Sequence, residues 1–294
     1  MIYNKNYLLD LQLRAFELLS GFLNESPDAI KPHLVKQLCN EIGCSEKYAV
    51  TLLLAAYCGL DTTKKPFDRD MFKIIFEPAM HHLDVREYQE NSYYRNIAFP
   101  QKKVGTWEFC TKTYKPFECF VYNDILTTSQ GVQIPQIGFF GEAFSYPAVL
   151  ENDRIWMTIT PNEIETMKEP LQQAKNKVVT FGLGLGYFVY MAAKKSEVSS
   201  VTVVERDQSV IQLFEENILP QIPDRQKVRI VKTDAFEYAE KVMPQENYDF
   251  AFTDLWHDVS DGIPLYLKMK DLERFSPQTQ FTYWIEKSIL CYDF

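Results

Sequence analysis

Residues 178–193, VVTFGLGLGYFVYMAA, restrict the fold of this chain more than any other stretch. Val178, Val179, Thr180 and Phe181 form a short apolar run, the kind that makes a strand buried on both faces. Gly182, Gly184 and Gly186 follow at intervals of two, and a helix-compatible segment starts at Tyr187. A strand that turns sharply into a helix needs glycine wherever a Cβ would block the turn or the approach of a ligand. The helix end beyond it offers unpaired N–H groups and a favourable dipole. The alternation then repeats, with strands predicted over 201–204, 228–231, 249–253 and 280–285 and helices over 187–196, 208–218, 235–243 and 263–275. Strand–helix units joined by short connections specify an α/β fold with a doubly wound, mostly parallel sheet. Such a sheet binds ligands beyond the carboxyl ends of its strands.

The chain upstream reads differently. Residues 1–95 carry helical periodicity and predict an α-helical bundle. Leu11, Ala15, Leu18, Leu19 and Phe22 make one apolar stripe, and Asn24 to Pro27 ends that helix. A second helix is predicted over 30–42, stopped by Gly43, a third over 46–60 behind an N-cap at Ser45, and a fourth over 68–83, disturbed at Pro78. The helix–turn–helix outline around Gly43 does not read as a DNA reader, because the helix after the turn is almost wholly apolar, and a recognition helix needs polar side chains. Residues 96–160 predict a small antiparallel β segment, with strands over 106–110, 117–122, 132–140 and 155–159. Its dense aromatics suit either a small core or one wall of a substrate pocket. The organisation read from the sequence is therefore 1–95 helical, 96–160 β-rich and 161–294 α/β.

Charge narrows the function. The formal net charge of −9 repels a phosphate backbone, and the lysine pairs are too scattered to form a nucleic-acid patch. The six cysteines form no C-x-x-C pair and only four histidines are present, which argues against a structural zinc site. No apolar run is long enough to span a bilayer. We expect a cytoplasmic protein that acts on a small molecule, uses neither nucleic acid nor membrane, and pairs as a homodimer through its helical N-terminal domain.

The spacing G-x-G-x-G differs from the dinucleotide fingerprint G-x-G-x-x-G, and Tyr187 stands where a pyrophosphate would need room. With "VTVVERD" and "VRIVKTDAF", the glycine turn resembles the class I S-adenosylmethionine-dependent methyltransferase family, whose fold is Rossmann-like. The resemblance covers roughly 160–253. It implies that Phe181, Gly182, Gly184 and Gly186 lie against the amino-acid part of S-adenosyl-L-methionine. It implies that Glu205 and Arg206 hold the ribose, a carboxylate being able to accept two hydroxyl hydrogen bonds, and that Asp234 and Ala235 lie by the adenine. It places Asp254, which ends "YDFAFTD", at the substrate side and against the cofactor. The chain departs from the family at Thr180, where an acid commonly holds the cofactor's amino group, and in the few residues that follow the fifth strand.

A methyl transfer asks the protein to align a nucleophile and at times to remove a proton. The candidates are Asp254 and His257, with Trp256, Asp258, Glu163 and Tyr146 as substrate contacts. Thr160 and Glu163 also read as a capping box. The acids Asp254, Asp258 and Asp261 suit a cationic amine as well, as in the similar spermidine-synthase branch, so aminopropyl transfer stays open. So does a non-catalytic module that keeps the fold.

Overall fold

The computed structural model describes residues 4–100, 102–104 and 107–291. Thr106, the predicted start of one strand, and the last three residues lie outside them. The chain divides by compactness into two units, each built from two separate segments: residues 1–88 with 112–145, and 89–111 with 146–294. This division runs differently from the division by composition into 1–95, 96–160 and 161–294.

The first unit starts with three helices whose ends follow local sequence. In α1 (Lys5–Glu25) the Asn4 side chain caps the first turn, and Leu8, Leu11, Ala15, Leu19 and Phe22 are the buried stripe. α2 (Pro32–Ile42) has proline in its first turn and stops at Gly43, which is left-handed at φ 65°. α3 (Glu46–Tyr57) is capped by the Ser45 hydroxyl, which accepts from the Tyr48 N–H. The fourth predicted helix is shorter than its periodicity suggests. α4 (Pro66–Met71) passes into a π-helical turn at Phe72–Phe76 and a last turn, α5 (Glu77–Ala79). The chain then extends as β1 (Met80–Leu83), followed by α6 (Val85–Gln89). Extension wins over helix because β1 pairs in parallel with β5 (Gln133–Phe140), which puts Met80 fully inside the core. β4 (Phe120–Thr127) pairs antiparallel with the other edge of β5. The helices therefore do not form a free-standing bundle: Leu11, Val50 and Phe76 share one apolar cluster with Phe117, Ile134, Ile137 and Phe139.

The second unit holds α7 (Ser92–Asn96) and two sheets. The four-stranded sheet has the order β2 (Lys102–Val104), β3 (Trp107–Tyr114), β6 (Phe144–Glu151), β7 (Arg154–Thr158). β6 escaped sequence reading because Pro147 interrupts it. It joins β7 through Asn152 and Asp153, both left-handed at φ 51° and 64°, the geometry that closes a two-residue hairpin. After α8 (Pro161–Thr166) and α9 (Lys168–Gln173) the α/β repeat begins. Its elements are β8 (Asn176–Phe181), α10 (Tyr187–Lys194), β9 (Val198–Glu205), α11 (Gln208–Asn217) and β10 (Val228–Lys232). They continue as α12 (Ala235–Lys241), α13 (Met243–Glu246), β11 (Phe250–Thr253), α14 (Val259–Leu272), β12 (Gln280–Tyr283) and α15 (Glu286–Ile289).

The five strands are all parallel, in the order β10-β9-β8-β11-β12. Their direction of progression reverses between β8 and β11, which makes that gap the switch point of a Rossmann-like sheet. Val178, Val179, Val201, Val203, Ala251 and Phe252 are almost wholly buried, as a sheet covered on both faces requires. Among the described residues no helix is long and apolar enough to cross a membrane.

Candidate functional site

The switch point opens into a cavity of about 540 Å³ that lies wholly within the second unit. β8 and β11 run side by side to its edge, and the Asp254 N–H donates to the Phe181 carbonyl at 2.9 Å. The three glycines of the turn are all left-handed, at φ 97°, 52° and 75° for Gly182, Gly184 and Gly186. Their surroundings differ. A Cβ on Gly182 would fall 2.0 Å from the Asp254 carbonyl oxygen, and one on Gly186 would fall 2.2 Å from the Phe214 ring of α11. These two glycines serve close packing within the protein. Only Gly184 faces space, its nearest neighbour being the Met157 sulfur at 3.9 Å. Of the three, Gly184 is the one that leaves room for a ligand.

Glu205 ends β9 and faces the turn. Its Oε2 accepts from the Leu183 N–H at 3.2 Å, and its Oε1 accepts from the N–H groups of Arg206 and Asp207 at 2.8 and 2.9 Å. Three backbone donors hold the carboxylate in one orientation before any ligand arrives. Asp234, after β10, caps α12: its Oδ1 accepts from Phe236 and Glu237, both at 3.0 Å, and its other oxygen remains for the cavity. Arg206 and Ala235 line the same space. Phe181 does not. Its side chain is fully buried and meets the Tyr238 ring edge-on, so it contributes through its carbonyl.

Opposite the glycine turn stands an aromatic wall. Trp107 of β3 and Trp156 of β7 pack edge to face at 5.7 Å, and the edge of Trp156 meets the His257 ring at 4.5 Å. Trp256 is buried, and its indole N–H has no hydrogen-bond partner. Sequence reading found the aromatic density of this segment, but Trp107 carried no signal of its own.

Two carboxyls complete the cavity, Asp254 at the end of β11 and Glu163 from α8. Each keeps some exposed surface yet lies deep enough for burial to dominate its titration. Burial pushes Asp254 up to about 7. Burial, and then the charge of Asp254, hold Glu163 well above the usual carboxylate range. The capping box predicted for Thr160 and Glu163 does not form: Thr160 stands at the N-cap but makes no side-chain cap hydrogen bond. Glu163 is thereby left to the cavity.

Two predicted substrate contacts fall elsewhere. Asp258 is the N-cap of α14, accepting from the Ser260 N–H at 2.7 Å, and it does not line the cavity. Tyr146 sits in β6, buried and away from the cavity lining. His257 lines the rim and is half-exposed, with its Nδ1 3.1 Å from Asp261 Oδ2. Asp261 is itself engaged as the reciprocal half of the α14 capping box. Among the described residues no cluster of three or more potential ligands could hold a metal ion.

No protein-family model and no curated protein matches the sequence. Similarity appears among solved structures. Precorrin 8w decarboxylase of Methanobacterium thermoautotrophicum has a TM-score of 0.30 at 20% identity, with 40% of this chain and 58% of that one covered. Spermidine synthase from Thermotoga maritima has a TM-score of 0.30 at 20% identity, over 44% of this chain and 50% of that one. The methyltransferase domain of bacterial CtHen1-C has a TM-score of 0.27 at 18% identity, over 36% and 55%. This chain spans about half the length of the solved chains it matches. The assignment to a Rossmann-like α/β fold rests on strand order and register.

Proposed function

We propose that the second unit binds S-adenosyl-L-methionine and transfers its methyl group to a small or medium-sized acceptor. The observation that carries this reading is Glu205, a carboxylate fixed by three backbone N–H groups at the end of the strand beside the glycine turn. Its free lone pairs suit a vicinal diol, and Gly184 leaves space for the ligand next to it. Asp234 and Ala235 bound the third strand's end of the cavity, where a flat base fits against Phe236. When bound, the sulfonium supplies an already activated methyl group.

The protein's own work is alignment and proton handling. Asp254 stands at the switch point with its carboxyl poised near neutrality, so it can take a proton from an acceptor at cellular pH. Trp107, Trp156 and Trp256 line the cavity and offer flat apolar surface to the acceptor. The half-exposed His257 on the rim is a second proton acceptor where the acceptor enters.

Aminopropyl transfer is the second reading, favoured by the acidic lining: six carboxylate residues and one arginine bound the cavity. Calorimetric titration with S-adenosylmethionine, decarboxylated S-adenosylmethionine and NAD separates the readings. Micromolar binding of the first alone supports methyl transfer, and preference for the second supports aminopropyl transfer. Binding of none of the three overturns both and leaves a module with the fold alone.

A further inference from the structure

Glu163 and Asp254 reach the cavity from unrelated parts of the chain, one from α8 and the other from the end of β11. They lie close enough for the charge of one to raise the other. Among the described residues neither carboxyl makes a hydrogen bond or ion pair, and burial is the only cause acting on Asp254. Two such carboxyls cannot both ionise cheaply, so the pair retains a proton until a cation arrives. Their neighbour Thr180, also in the lining, brings no charge, and its hydroxyl lies 3.4 Å from the Gly182 carbonyl. The unpartnered indole N–H of Trp256 belongs to the same lining and adds a second unmet polar group.

The other titratable groups around the pair do not supply its counter-charge. Tyr94 of α7 lies beside Glu163, and burial raises its phenol, as it raises that of Tyr187 at the start of α10. Both stay neutral near pH 7. Tyr146 of β6 interacts with Tyr94. Glu205 is across the glycine turn, held by the backbone. His257 is on the rim with Asp261. Arg206, the one arginine of the lining, follows Glu205 at the end of β9.

We propose that Glu163 and Asp254, two unpartnered carboxyls of one cavity, receive a primary ammonium group of the bound ligand, and that Glu163 makes the cavity select such a ligand. On binding, a proton held by the pair leaves to solvent and the ammonium enters, so the pair carries two negative charges against one positive. Glu163 is a specificity residue, supplied by a helix outside the strand–helix repeat. The proposal rests on the reading that an adenosyl ligand occupies this cavity.

The test uses the full chain and two probes that share the adenosyl group. S-adenosylhomocysteine carries the ammonium, and 5′-methylthioadenosine lacks the amino-acid part. Calorimetric titrations at pH 6 and 8, in buffers of different ionisation enthalpy, give affinity and proton release together. Glu163→Gln should weaken S-adenosylhomocysteine at least tenfold, leave methylthioadenosine within twofold, and reduce the proton release. Equal loss on both probes, or no loss on either, overturns the proposal. If the wild-type chain binds neither probe, the adenosyl reading fails. The pair is then judged on the free protein by ¹³C NMR of its carboxyls. Glu163 should titrate above the ordinary carboxylate range and move down, while staying raised by burial, in Asp254→Asn. Ordinary titration of Glu163 in the wild type overturns the pair.

Discussion

The backbone carbonyl of Asp254 passes so close to Gly182 that a Cβ built on the glycine would lie 2.0 Å from its oxygen. The contact joins the two strands of the switch point at the level of the cavity floor. It sits beside the Asp254 N–H to Phe181 carbonyl bond of 2.9 Å, so the geometry of Asp254 is set by what stands at position 182.

Gly182→Ala must therefore separate β8 from β11 or distort the turn, and it also forces alanine into φ 97°. We expect a loss of about 3 kcal/mol or more, the range of strained or overpacked positions. Gly184→Ala meets only the Met157 sulfur, at an unstrained 3.9 Å, and bears only left-handed strain, about 1–2 kcal/mol. Thermal unfolding of the two variants should show the first far below the second. A Gly184→Ala protein that folds but binds S-adenosylmethionine weakly would mark that glycine as the ligand-facing one.

Glu205→Ala removes the acceptor proposed for the ribose. Two hydrogen bonds to a charged acceptor contribute about 1.5–3 kcal/mol each, so affinity for an adenosyl ligand should fall at least tenfold. Glu205→Gln serves as control, because it retains an oxygen for the Arg206 and Asp207 N–H groups. It should unfold near the wild-type temperature and still bind weakly. Normal binding by either variant, measured by calorimetry, would remove Glu205 from the site.

Asp254 titrates near 7 in the folded protein against an ordinary value of 3.8. The folded state then holds a proton that the unfolded state has lost, so stability falls as pH rises from about 4 to 7 and is flat above. Asp254→Asn removes this group's contribution. Its stability relative to wild type should grow through that window, by about 1–3 kcal/mol at pH 8 for a partly buried carboxyl. Denaturant unfolding at pH 5 and 8 checks the sign, and a constant difference would contradict the raised value.

Asp258 and Asp261 together cap α14. Asp261 accepts from the N–H groups of His257 and Asp258 at 3.1 and 3.0 Å. Asp261→Ala should cost about 1–2 kcal/mol through the lost cap, read by thermal unfolding. It also frees His257 to turn away from its place against Trp156. His257→Ala should leave stability nearly unchanged, and kinetics with a methyl acceptor would then show whether this imidazole handles a proton.

The α/β repeat was legible because each of its strands is a short apolar run closed by a polar or glycine turn, and 178–193 fixed where the ligand end lies. Glu205 and Asp234 were legible as strand-end acids in register. What hid was tertiary. β1 reads as helix because its gain comes from pairing with β5, more than fifty residues away. β6 hides behind Pro147. Glu163 looked like half of a capping box, and nothing local shows that its carboxyl lines the cavity instead. Asp258 looked like a substrate contact because charge alone cannot distinguish a cap from a site. Trp107 reaches the cavity through the pairing of a sheet that spans two segments of chain.

The interleaving of the two units has a consequence for synthesis on the ribosome. The first unit has all its residues once Ser145 has emerged, yet it then carries 89–111 as an insertion that belongs to the other unit. Tyr93, whose hydroxyl donates to the Leu185 carbonyl, and Asn91, which donates to the Tyr187 hydroxyl, wait for partners about ninety residues downstream. At roughly 5–20 residues per second, Tyr283 follows Ser145 by on the order of ten seconds. Through that interval Asn91 and Tyr93 stand without their partners, which makes this the stage at which a chaperone would matter most.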